Sequence, residues 1–143
     1  MKQLIIAVLL LSGAAAAQEV GEGLTGRAFN GQFWQLLQAN EKNIYIGAFH
    51  EGLGLGMTMT AAGPYDADKL ADQYFAKGFG PTEMVKGLDQ FYADAANTRV
   101  PIFVAMRWFR EKCRGRSAAQ LEELASAYRA SAERETGSAA EKK

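Results

Sequence analysis

The pair with the plainest chemical potential is His50-Glu51, the one histidine of the chain beside a carboxylate. An imidazole and a carboxylate are the usual halves of a general acid/base couple. Adjacent positions on a helix point about 100° apart, however, so these two do not share a face. A metal centre needs further ligands, and the chain offers neither a second histidine nor an HExxH spacing. A lone histidine at the edge of an apolar face reads more simply as structural. Gly52-x-Gly54-x-Gly56 imitates a phosphate loop, yet it neither follows an expected strand nor opens a helix. No nucleophile-elbow pattern marks a serine. The expectation is no catalytic residue, no metal ligand and no cofactor.

Cys113 shares an arc with Ile102, Met106 and Phe109, which makes it a packing residue first, although Lys112 and Arg114 would favour a thiolate were it exposed. Arg107, Arg110, Lys112, Arg114 and Arg116 form a basic cluster broken by Glu111. Its plain reading is a solvated helix end, where cations offset the dipole; its sharper reading is a partner-binding face. Trp108 falls off the core arc, either under the last helix or exposed for a partner.

The stretch that must position most of the chain is Leu88 to Ile102. Upstream, Met84, Val85, Leu88, Phe91 and Tyr92 share an arc of roughly 120°, the mark of one apolar helix face. Gly80-Pro81-Thr82 starts that helix, since proline is tolerated where its missing N–H has no helical partner. Asn97 is expected to end it in the left-handed conformation. Pro101 then opens a second helix, on which Ile102, Ala105, Met106, Phe109 and Cys113 recur at helical spacing. Two such helices on a short polar connection form a hairpin. Asp94 and Asn97 are placed to bond backbone groups in this hinge, and Arg99 to pair with Asp94.

At the N-terminus, Lys2, the apolar run Leu4 to Leu11 and Ala15-x-Ala17 describe a cleavable secretory signal peptide, residues 1–17, with the cut before Gln18. The run is too short to span a bilayer comfortably. Removing Lys2 from 16 basic residues leaves 15 against 16 acidic ones. That balance argues against nucleic acid or an anionic membrane as partner. With one cysteine, no internal disulfide is available. Residues 18–26 read as a flexible leader, 27–135 as one helical domain and 136–143 as a polar tail.

Asn30 is the expected cap of a helix carrying Phe33, Trp34, Leu36 and Leu37 and ending near Asn40, which in turn caps the next. That next helix, Glu41 to Thr60, is apolar on most sides, with Tyr45, Phe49, Leu53 and Met57 on one side and Ile44, Ala48 and Leu55 on another. Such a helix is usually central in a bundle, and Gly52 and Gly56 would admit a close neighbour. Leu53 to Thr60 also alternates with period two, so a strand competes there; the helix is preferred. Asp66 caps a short helix with Leu70, Tyr74 and Phe75. Gly115 ends the hairpin, and Ser117 with Gln120 forms a capping box for a last helix with Leu121, Leu124, Ala125, Tyr128 and Ala132 on one face. The fold class is therefore all-α, a compact bundle of five or six helices organised around a helical hairpin.

Trp34, Glu41-Lys42, Tyr45-x-Gly47-x-x-x-x-Gly52 and Phe91-Tyr-x-Asp94-x-x-Asn97-x-x-Val-Pro101 together resemble a group of small exported bacterial proteins of unknown function. More distantly the chain is similar to the Tai-like immunity proteins of type VI secretion amidases, without the paired cysteines usual there. The resemblance implies a periplasmic helical domain that binds and blocks a protein. With His50, Glu51 and Arg99, singled out above on their own chemistry, the motif positions Tyr45, Gly47, Gly52, Tyr92, Asp94, Asn97 and Pro101 make up the candidate binding or hinge set. The expected function is an exported, non-enzymatic interaction domain for a protein or peptide, with no membrane anchor after signal cleavage. The alternative is a small envelope hydrolase using His50 with Glu51, Asp89 or Asp94.

Overall fold

The structure, a computed structural model, describes residues 23–26, 28–60 and 80–140. The signal peptide, most of the leader and the helix expected after Asp66 lie outside these residues.

Gly26 takes a left-handed φ of 63° and turns the chain between two short antiparallel strands, β1 (Leu24–Thr25) and β2 (Ala28–Phe29). The leader therefore ends earlier than the sequence suggests. Thr25 is buried, and its hydroxyl donates to the Arg99 carbonyl at 2.5 Å, tying the hairpin to the hinge. Asn30 caps α1 (Gly31–Leu36) as expected, its Oδ1 accepting from Gln32 N at 3.0 Å and Phe33 N at 3.4 Å.

Helix α1 stops at Leu36, and α2 (Ala39–Thr60) begins before Asn40. The cap is instead a reach-back, with Gln38 N donating to the Glu41 carboxylate at 2.6 Å. Leu53 to Thr60 continues the helix, so the strand alternative falls. Helix α3 (Pro81–Tyr92) starts at its proline and buries the five apolar residues of its expected face. A 3₁₀ turn (Ala95–Asn97) leads to α4 (Ile102–Cys113), and a Gly115 with φ +83° leads on to α5 (Ala118–Ala140). The Ser117–Gln120 capping box forms in both directions, at 3.0 and 3.3 Å. Helix α5 runs to Ala140, so most of the expected polar tail is helical.

Among the described residues the architecture is thus five α-helices and one small hairpin. Helix α3 is central, packing on α2 at one side and α4 at the other, while α5 covers α4. Trp34, Ile46, Leu88, Tyr92, Val100, Ile102 and Met106 are fully enclosed. Three glycines make close approaches, Gly23 among them, where a Cβ would come within 2.9 Å of the Phe33 Cβ. A Cβ on Gly87 would enter the Phe109 ring where α3 meets α4, and one on Gly31 would enter the Tyr92 ring. A Cβ built on Gly47, Gly52 or Gly56 of α2 would meet nothing within 4 Å among the described residues. Among those residues α2 packs chiefly on α3 and is not central, and the close approach expected at Gly52 and Gly56 is not made there. Apolar content predicts burial on most sides of α2, whereas Ile44 and Leu55 are exposed.

Candidate functional site

The hinge brings Tyr92, Asp94, Asn97, Arg99 and Pro101 together. The Tyr92 hydroxyl donates to the Val100 carbonyl at 2.9 Å, closing the hinge across eight residues. Burial pushes this phenol well above its ordinary range, with the nearby Tyr45 adding to the effect. Asn97 is buried, but it is not left-handed; among the described residues only glycines have positive φ. It ends α3 by its side chain instead. Its Nδ2 donates to the Phe91 carbonyl at 2.8 Å, and its Oδ1 accepts from Arg129 at 2.9 Å. Both halves of the amide are satisfied, which a buried asparagine requires.

Asp94 caps the 3₁₀ turn, its Oδ1 accepting from Ala96 N at 2.9 Å. Arg99 is exposed, and the cation that reaches the hinge is Arg129 from α5, which also pairs with Glu122. Arg129 was missed in the sequence because only a third dimension puts α5 over the hinge. The one local signal is its position beside the apolar face of α5.

Between the end of α3, the hinge, α4 and the start of α5 lies a cleft of about 350 Å³. Phe91 and Trp108 form its aromatic floor, with ring centroids 5.0 Å apart, and Leu121 and Ala125 its far wall. Trp108 lies under α5, its Nε1 donating to the Leu121 carbonyl at 3.1 Å. Asp94, Asn97 and Glu122 stand at one side. Lys112 stands at the other, bonded to Gln90 and 5.7 Å from the Trp108 ring centroid. This lining contains carboxylates, an ammonium and amides, with no hydroxyl, thiol or imidazole.

The remaining predicted residues do not join this cleft. Tyr45 is half-buried in an aromatic group with Phe29, Phe33 and Trp34. His50, Glu51 and Gly52 are exposed on α2, and Gly47 lies beside them. Neither described cleft is lined by His50. Asp89, a carboxylate considered for acid/base work, accepts from Trp34 Nε1 at 2.8 Å and Lys42 Nζ at 2.7 Å. Trp34, Lys42 and Asp89 are thus one polar cluster locking α1 and α2 to α3.

The basic cluster is organised by its one carboxylate. Glu111, only 9% exposed, accepts from Arg116 at 2.6 Å, Arg110 at 2.7 Å and Arg114 at 3.5 Å. The Arg116 guanidinium, then that of Arg110, holds its carboxyl below the usual range. Cys113 goes the other way, because burial pushes its thiol up more than Lys112 draws it down. No helix among the described residues is long and apolar enough to cross a membrane, and none of their acidic, histidine and cysteine side chains cluster as a metal site.

Comparison with family models, with curated proteins and with solved structures finds no match for this chain.

Proposed function

We propose that the chain is an exported interaction domain, cleaved before Gln18, that receives a side chain of a protein or peptide partner in the hinge cleft. The observation that carries the reading is the cleft itself, with the half-buried Trp108 ring tilted near Phe91 in its lining and charges of both signs at its border. Aromatic surface that stays rigid while a partner docks loses little entropy on binding, and such anchors dominate interface energetics. The polar border suits hydrogen bonding at the rim of an interface. The immunity-like role suggested by the resemblance is one form of this reading.

A photo-crosslinking residue at Glu122, compared with one at the exposed Glu133, tests it in producing cells. A discrete adduct is expected from Glu122 alone, on protein whose first residue is Gln18, and His50→Ala should leave it intact. Equal labelling at both positions, or an intact Met1 on cytoplasmic protein, would refute the reading.

A further inference from the structure

Phe103, Arg107 and Arg110 recur along α4 at i, i+4 and i+7, within an arc of about 60° on one face, and Arg114 follows as the residue that caps the helix. Phe103 is 42% exposed, and the Arg107 and Arg114 side chains also reach solvent. Three arginines, Arg110, Arg114 and Arg116, bond one carboxylate, Glu111; with Arg107 and with Glu135 of the adjoining cleft, the local formal charge is +2 (4 − 2) on a chain of net zero. Beside Arg107 this face opens into a second cleft of about 280 Å³, walled by Val104, Tyr128 and Ala132, with Glu135 also in its lining. Arg107 itself lines this cleft and so joins it to the arginine row.

We propose that this face of α4 and α5 binds an acidic peptide segment of a partner protein, one apolar side chain in the cleft and carboxylates along Arg107 and Arg114. Guanidinium forks match carboxylates in bidentate geometry, and Glu111 limits the freedom of those it holds. Eleven positions at 1.5 Å span roughly 16 Å, a length that an extended peptide covers in about five residues. An anionic bilayer is the poorer fit. The apolar element is concave where membrane anchors project, and a chain of zero net charge has little long-range attraction to such a surface. The surface shares no lining residue with the hinge cleft and stands independently of it.

The test is fluorescence anisotropy of the full chain with a fluorescein-labelled pentapeptide of one leucine and four glutamates. Its controls are the same peptide with glutamines for glutamates, and vesicles of phosphatidylglycerol. The acidic peptide should bind at least tenfold more tightly than its glutamine counterpart and weaken with salt. Arg107→Gln and Arg114→Gln should each weaken it about fivefold, as expected for one solvent-accessible charge pair. Lys86→Gln, a charge loss at an exposed position of α3 that lines neither cleft, should leave it unchanged, and thermal melts confirm that each variant folds. Equal affinity for the glutamine peptide would overturn the proposal, as would indifference to both arginine changes or an equal loss from Lys86→Gln. Binding to the vesicles but not to the peptide would assign the surface to lipid and overturn it likewise.

Discussion

Helix α3 buries Met84, Val85, Leu88, Phe91 and Tyr92, whereas the longer α2, with more apolar residues, leaves Ile44 68% and Leu55 63% exposed. Both helices also contain glycine, to different ends. Gly87 on α3 makes room for the Phe109 ring, while a Cβ on Gly47 or Gly52 of α2 would meet nothing within 4 Å among the described residues. The contrast lies in spacing as much as in content. On α3 the apolar residues converge on one arc and α4 supplies a matching one. On α2 they are spread around the helix, and among the described residues the side with Tyr45, Ile46, Phe49 and Leu53 is the one that meets the core.

The comparison can be broken most sharply at matched leucines. Leu88→Ala should cost about 2–5 kcal/mol through lost transfer energy and a cavity in the core, where Leu88 is fully buried. Leu55→Ala on the exposed side of α2 should stay within about 0.5 kcal/mol, as surface changes do. Urea denaturation of the two variants decides it, and similar midpoints would mean that α2 is as embedded as α3.

Next in size is the hinge. Asn97→Ala should cost about 1–3 kcal/mol, because it strands the buried Phe91 carbonyl and removes the acceptor for Arg129. Asp94→Ala removes one cap on an exposed 3₁₀ turn and should cost about 0.5–1 kcal/mol. Chemical unfolding of both beside Glu133→Ala would show whether the two hinge residues differ in this order.

Glu111 offers a test by pH. Its carboxyl is held below the ordinary range in the folded chain, so the unfolded chain binds the proton more readily. The stability this confers is present above the ordinary carboxyl pKa of about 4.5 and is lost as pH falls through the lower folded value. Glu111→Gln should therefore flatten the acid limb of the stability curve. At neutral pH it should cost about 1 kcal/mol, a figure kept small because Arg114 and Arg116 are half-exposed. Melting curves between pH 3 and 7 would check both statements.

The smallest effect carries the opposite sign. Gly52→Ala should raise stability by about 0.5–1 kcal/mol, since alanine restricts the unfolded chain and nothing opposes its Cβ. Gly87→Ala, chemically the same change, should destabilise through the Phe109 ring. Thermal melts that moved both in one direction would erase the distinction between the two helices.

Taken alone, the sequence determined what neighbouring residues settle among themselves. Asn30 caps α1, Pro81 opens α3, Gly115 ends α4, Ser117 and Gln120 cap α5, and the apolar arcs of α3, α4 and α5 face inward. Each depends on groups within about four positions, where helical geometry alone dictates distance. The all-α class follows from the same local rules. Tertiary structure decided which apolar side of α2 is covered and which glycines are indispensable, because both depend on the opposing surface. It also chose Arg129 over Arg99 as the hinge cation, 32 positions from Asn97. The two clefts belong to this second kind, since their walls come from helices joined only by packing. Periodicity names the face that a helix hides, but the partner that hides it is set by how the whole chain closes on itself.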